Sequence, residues 1–217
     1  PGSTFKLASL IACMEAGMLP SDTVDTGEGE IFFSGRRMRD SNHKDGGHGE
    51  INLTKAFEVS SNIGSALAVK QTFGENPQAF VDGLTKLGVT EKTGIRYVGE
   101  AQPRVKTKVN ASDWTGVTLT QTAIGYELTQ TPLQTLVLYN AIANNGKMMR
   151  PQLVRELRVG TETLKSYKPF VLQNRICNAT TLAACRSMME AVCDPDGQGT
   201  AKHVFKGSPY TVAGKTG

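Results

Sequence analysis

Histidine is scarce in this sequence of 217 residues. The three that occur, His43, His48 and His203, are scattered, and two of them lie in a glycine-rich stretch. That argues against a Ser-His-Asp triad and against a histidine-built metal site. The four cysteines, Cys13, Cys177, Cys185 and Cys193, lack the two-plus-two spacing of a zinc ligand set, so neither metal nor cofactor is expected. Cys13 falls in an apolar run and reads as a small buried hydrophobe. The other three cluster near a later helical stretch and leave a disulfide open if the protein is exported. No run approaches the roughly 18 consecutive apolar residues of a membrane span, and there is no internal repeat or low-complexity segment. The formal charge is only +4, and the cations are dispersed apart from Arg36, Arg37 and Arg39, which is no nucleic-acid footprint.

What remains is an ordinary globular composition, 39% hydrophobic and 20% charged, long enough to bury a sizeable core in one domain or two. The run from Ser3 to Ala16 is built of helix formers, is apolar nearly all round and stops at Gly17, so it predicts a buried helix. Residues 20–50 are rich in Gly, Asp, Ser and Asn and predict mainly loop, with a short strand at Ile31–Phe33. Helices are expected at Leu53–Val59 and Ile63–Phe73, on either side of Ser60-Ser61-Asn62. Pro77 opens another, whose Phe80, Val81, Leu84 and Leu87 form an apolar stripe closed by Gly88. Thr131-Pro132 starts a helix running to Asn145-Gly146, and Thr180–Val192 predicts one more. Leu153–Val159 alternates like a half-buried strand, and Tyr210–Gly214 is an aromatic and β-branched run suited to a strand.

Three short motifs carry the chemistry. Ser3 and Lys6 are three residues apart, which puts both on one helix face and lets an amine take the hydroxyl proton during attack on an acyl group. Pro1-Gly2 turns the chain into that helix and leaves the Ser3 amide free to serve as half of an oxyanion hole. Ser60 and Asn62 sit at a helix junction, where such residues are ordinarily caps. Beside a Ser-x-x-Lys pair, Ser60 can relay a proton between Lys6 and a leaving amine, while Asn62 binds Lys6 and a substrate amide. Ser61 is expected to face away. Lys215 would attract a carboxylate and, by like-charge repulsion, keep Lys6 deprotonated. Thr216 would donate a hydroxyl, and Gly217 would let a substrate approach the backbone. Each motif is weak alone; their order and joint occurrence carry the reading. Trp114 and Tyr126 read as packing residues.

Taken together, Ser3-Thr4-Phe5-Lys6, Ser60-Ser61-Asn62 and Lys215-Thr216-Gly217 resemble the three motifs of the class B penicillin-binding protein transpeptidase domain, most closely the cell-division type. Gly125-Tyr126-Glu127-Leu128, ending in Thr131-Pro132-Leu133-Gln134, is similar to that family's Gly-Tyr-Gly segment. Ala143-Asn144-Asn145-Gly146-Lys147 and Gly197-Gln198-Gly199-Thr200-Ala201 are similar to further segments of it. Glu127 stands where glycine is common, and Val98-Gly99-Glu100 replaces a usual Pro-Gly-Glu. The resemblance implies an α+β fold of the serine β-lactamase-like kind, with 1–217 a partial transpeptidase domain: mostly its helical part, its central sheet truncated on both sides. It implies a D,D-transpeptidase that crosslinks peptidoglycan stem peptides ending in D-Ala-D-Ala through a seryl acyl-enzyme and is acylated by β-lactams. In this role Ser3, Lys6, Ser60 and Asn62 are catalytic, and Lys215, Thr216 and Gly217 bind substrate. Division proteins are the implied partners and the inner membrane the implied location, with the catalytic domain in the periplasm or outside the cell. The residues as they stand are expected to be an internal piece, inactive alone. A serine β-lactamase and a non-catalytic β-lactam receptor are the alternatives. The first is disfavoured because no Glu-x-x-Leu-Asn segment occurs.

Overall fold

Every residue from Lys6 to Met14 is buried, so the first helix is the axis on which the rest is assembled. The computed structural model describes residues 1–217. A 3-10 turn at Gly2–Phe5 runs into α1 (Lys6–Glu15), and Gly17 ends it in a left-handed conformation, φ 107°. Around α1 pack α2 (Leu53–Glu58), α3 (Asn62–Phe73), α4 (Pro77–Lys86) and α7 (Ala179–Cys193). Leu7, Leu10 and Ile11 are fully enclosed in a core that also takes in Phe57, Val69, Phe80, Leu84, Ile142 and Met188. Each such side chain is worth about 1.5–3 kcal/mol by burial.

Local signals fix the helix ends. Asn52, Ser61, Asn76, Thr131 and Asn178 each accept a backbone N–H at the start of α2, α3, α4, α6 (Pro132–Ala143) and α7. Thr131 and Gln134 complete a reciprocal capping box. Asn145 and Gly146, both at positive φ, stop the chain beyond α6.

Three sequence expectations need correction. Residues 20–50 hold more order than a loop: β1 (Thr23–Asp25) pairs with β4 (Glu50–Asn52), and β2 (Glu30–Phe33) forms a hairpin with β3 (Arg36–Arg39). β2 falls where the short strand at Ile31–Phe33 was expected; β1, β3 and β4, three or four residues long, are too short for a period-two pattern to stand out from the surrounding glycines. The 153–159 strand shrinks to β6 (Glu156–Val159), paired with β7 (Glu162–Ser166), and its Leu157 and Val159 are exposed rather than half-buried. Residues 210–214 form no strand, because no other segment pairs with their backbone in a ladder. One helix escaped sequence reading altogether. α5 (Thr118–Ala123) is rich in threonine, a poor helix former, yet every residue of it is buried and it packs against α3, so tertiary contact overrides propensity.

All sheets are two-stranded and antiparallel, the last being β5 (Met148–Met149) with β8 (Val171–Gln173). The fold is therefore α+β with the helices dominant. No helix is long and apolar enough to cross a membrane. All four cysteines are free and buried, so no disulfide forms. Burial pushes Cys13 up to about 12 and Cys177 up to about 11, which keeps both thiols protonated and unreactive at neutral pH.

Candidate active site

Ser3 lies in the 3-10 turn that precedes α1, not in the α-helix itself. Lys6, three residues further on, opens α1, so helical spacing keeps the two positions on one side of this segment. The Ser3 amide falls in the first turn, whose N–H groups have no intrahelical acceptor. The turn is pinned from outside: Gly2 N donates to Gly125 O at 3.3 Å, Tyr139 Oη to Thr4 O at 2.9 Å, and Thr4 Oγ1 to Pro1 O at 2.8 Å. Gly125 has φ +83°, and a Cβ there would lie 2.0 Å from Gly2 O. Gly125→Ala is expected to push the Ser3 turn aside, costing about 2–4 kcal/mol in thermal unfolding and most of the acylation rate. An unchanged melting temperature would contradict that contact.

The Lys6 ammonium is fully buried on the first turn of α1. It donates to Ser60 O at 2.7 Å, Asn62 Oδ1 at 2.8 Å and Ser60 Oγ at 3.3 Å. Lys215 reaches the same Ser60 Oγ at 2.7 Å, so one hydroxyl bridges the first and third motifs. Burial, then the Lys215 charge, lower the Lys6 pKa from 10.5 to about 7, against a smaller upward pull from Asp40. That displacement corresponds to roughly 5 kcal/mol of discrimination against the charged form. Burial likewise lowers Lys215 to about 8. All three Lys6 contacts go to the middle motif, and Lys6 makes no hydrogen bond to Ser3 in this structure. As an ammonium Lys6 spends its three protons there; on losing one it gains a lone pair that can accept from a neighbouring hydroxyl.

Ser60 sits at φ +57° between α2 and α3, a strained conformation for a residue with a side chain. Ser61 turns away from the lysines, as expected: its buried hydroxyl caps α3 and donates to Asp40 Oδ2 at 2.6 Å. Asp40 is the residue that sequence reading missed. It is 3% exposed at the end of β3, and its Oδ1 accepts from Asn62 N at 2.6 Å and Ile63 N at 3.0 Å. The neighbouring Arg39 O accepts from Asn62 Nδ2 at 2.9 Å, so β3 orients the Asn62 amide with its oxygen toward Lys6. No local signal marks Asp40, because it stands among turn formers and its partners lie more than 20 residues on. Asp40→Asn keeps acceptors for both amides but removes the charge that holds the Lys6 pKa up. The acid limb of the acylation rate is expected to move to lower pH, with the plateau rate held within about tenfold, whereas Asp40→Ala loses roughly 100-fold. An acid limb that stays put in Asp40→Asn would contradict this role.

Thr216 Oγ1 lies 2.6 Å from Thr200 Oγ1, and a Cβ on Gly217 would come within 2.7 Å of Thr4 Cγ2, so the third motif abuts the Ser3 turn. Gly214 N donates to Met189 O at 3.0 Å, which ties this extended segment to α7. Lys215 Nζ lies 5.5 Å from the centre of the Phe57 ring. Every residue expected at the site from the sequence is thus in one neighbourhood, although residues 3 and 215 stand at opposite ends of the chain. Trp114 packs against the core as expected, but Tyr126 is 56% exposed and is no packing residue. Glu127 takes the left-handed conformation that glycine adopts freely, φ +57°, and is held there by Lys106 Nζ and Thr118 Oγ1, each 2.9 Å from its Oε2. No group of histidine, cysteine and carboxylate residues could hold a metal ion.

The family model for the penicillin binding protein transpeptidase domain matches residues 1–217. Over 222 residues the chain is 32% identical to penicillin-binding protein PbpB of Mycobacterium tuberculosis, covering 100% of this chain and 31% of that protein. It is 25% identical over 227 residues to the peptidoglycan D,D-transpeptidase MrdA of Acinetobacter baumannii, covering 100% of this chain and 32% of that one. Among solved structures, penicillin-binding protein PBP2 of Helicobacter pylori in complex with MreC is similar with a TM-score of 0.79 and 27% identity, covering 100% of this chain and 39% of that chain. The chain spans about a third of the length of the curated relatives it matches.

Proposed function

We propose that this chain, which belongs to the penicillin-binding protein transpeptidase family, is the part of a class B transpeptidase domain that carries the acyl-transfer residues. Ser3 Oγ attacks the carbonyl of the penultimate D-alanine of a stem peptide while Lys6, in its neutral form, accepts the hydroxyl proton. The Ser3 amide stabilises the oxyanion. The proton passes from Lys6 through Ser60 Oγ to the departing amine of the terminal D-alanine. An amine of a second stem peptide then attacks the seryl ester and restores Ser3, forming the crosslink. Asn62 orients Lys6 and the substrate amide. Lys215 and Thr216 bind the terminal carboxylate, and Gly217 leaves room for the substrate backbone. A β-lactam acylates Ser3 in the same way. The single observation that carries this reading is the meeting of Lys6 Nζ and Lys215 Nζ on one Ser60 hydroxyl, at 3.3 and 2.7 Å.

The names of the relatives support peptidoglycan crosslinking as the reaction, and the complex of a similar protein with MreC supports other wall-synthesis proteins as partners. In this proposal the domain lies on the outer side of the cytoplasmic membrane, in a membrane-anchored protein. The test is the lifetime of the acyl-enzyme. Full-length protein labelled with a fluorescent penicillin is expected to keep its label for many minutes, and on a D-alanyl-D-alanine peptide with an added acceptor amine it should release D-alanine and form a new amide. Rapid release of hydrolysed penicillin would assign a β-lactamase instead. A stable label with no peptide turnover would assign a receptor.

A further inference from the structure

Away from the lysine cluster, β6 and β7 form a hairpin that nothing else in the structure covers. All five residues of β7 are exposed, and Val159 and Leu164 remain 65% and 61% accessible. A two-stranded ribbon with both faces in water is marginal alone. The outer edge of each strand makes no backbone hydrogen bond to another segment, which leaves a row of free donors and acceptors. At the base of the hairpin lies a cavity of about 390 Å³ into which Arg96, Arg150 and Lys168 converge, with Leu153, Val154 and Tyr167 as its apolar wall. No acidic residue lines it, and none of the three cations is paired with a carboxylate. Glu100 is occupied by Thr93 N at 2.7 Å and Gly94 N at 3.1 Å and forms no ion pair with the three cations. Arg150 lies over the Phe170 ring at 4.4 Å and Arg96 stands 6.0 Å from the centre of Tyr167, so aromatic faces flank two of the guanidinium groups.

We infer that this hairpin and its cationic cavity form a docking site for an extended acidic peptide segment of a partner protein, with carboxylates entering between Arg96, Arg150 and Lys168 and apolar side chains lying on Leu153 and Val154. Unpaired cations around a concavity call for anionic groups. The free strand edge calls for backbone donors and acceptors, which a peptide supplies and a lipid surface does not. The site shares no lining residue with the acyl-transfer residues and adds a contact surface to the proposed enzyme rather than a step to its reaction.

The test uses the full-length protein and a fluorescein-labelled peptide of alternating glutamate and valine, read by anisotropy, with a lysine-valine peptide and phosphatidylglycerol vesicles as comparisons. Binding of the glutamate peptide is expected, weakening as salt is raised. It should fall at least tenfold in Arg96→Glu/Arg150→Glu/Lys168→Glu, while labelling by fluorescent penicillin stays at the wild-type rate and so reports an intact fold. Because the triple reversal is a large charge change, Leu153→Ser/Val154→Ser is the second variant, expected to weaken the peptide severalfold by removing the apolar wall. Equal affinity in wild type and both variants, or no binding of the glutamate peptide at all, overturns the inference. Vesicle binding that the triple variant abolishes and the peptide does not compete with overturns it in favour of a membrane contact.

Discussion

Ser3→Ala is expected to abolish covalent labelling by penicillin, with a loss of roughly 10⁴-fold or more in acylation, because the proposed mechanism has no second nucleophile to offer. The candidates are few. The four thiols are buried and protonated. The Ser61 hydroxyl is committed to Asp40 and to the amide of Gly64. Ser60 Oγ is the nearest rival, since it lies between both lysines. It stands at a helix junction behind Lys6, without the free first-turn amides that Ser3 has beside it for the oxyanion. Ser3 Oγ makes no hydrogen bond of its own and is only half-buried, so its removal should leave stability within about 0.5 kcal/mol. The measurement is the mass of the labelled peptide after digestion, together with a thermal melt of the variant. Label found on Ser60 in Ser3→Ala would transfer the nucleophile to the middle motif.

Lys6→Met is expected to lower the second-order acylation rate by roughly 10³-fold, the scale of a positioned general base. Methionine approximates the length and apolar stem of lysine but cannot accept a proton. The fold should survive. The change removes a buried charge, whose desolvation is unfavourable, and leaves Ser60 O and Asn62 Oδ1 without their donor, so two effects of opposite sign offset one another to within about 2 kcal/mol. A rate loss accompanied by a normal melt would assign Lys6 to chemistry. A rate loss that tracks unfolding would assign it to structure. Stopped-flow acylation with a chromogenic cephalosporin, alongside calorimetry, separates the two.

The site was legible in the sequence to the degree that its chemistry is local. Ser3 and Lys6 are three residues apart and Pro1-Gly2 marks the turn before them, so that pair could be singled out from local spacing, although the motif is weak alone. The Lys215 contribution was legible only through the joint occurrence of three motifs, since 155 residues separate it from Ser60. Asp40 was not legible at all. It acts through hydrogen bonds to residues 61, 62 and 63, and a buried carboxylate in a stretch of turn formers looks like any turn aspartate until the chain folds. The same physics divides the fold. Helices with an apolar stripe and a polar cap, such as α4 and α6, were legible almost to the residue, and β2 stands where the short strand at Ile31–Phe33 was expected, whereas α5 depends on packing against α3, and β1, β3 and β4 are too short to carry a period. The strand expected at 210–214 failed for the complementary reason: propensity describes a willing strand, and a ladder needs a partner.

In the proposed mechanism Lys6 acts in its neutral form, which burial and the facing Lys215 charge favour. The pH dependence of the second-order acylation rate tests that most directly, since it reports ionisations of the free enzyme. The rate should rise as Lys6 deprotonates, with a limb at about 7, and fall as Lys215 loses the charge that attracts the carboxylate, with a limb at about 8. The two values belong to the coupled pair. In Lys215→Gln the repulsion is gone, so the acid limb should move to higher pH and the basic limb should vanish. An acid limb that lies near the ordinary lysine value in wild type, or one that does not move when Lys215 is replaced, would contradict the account.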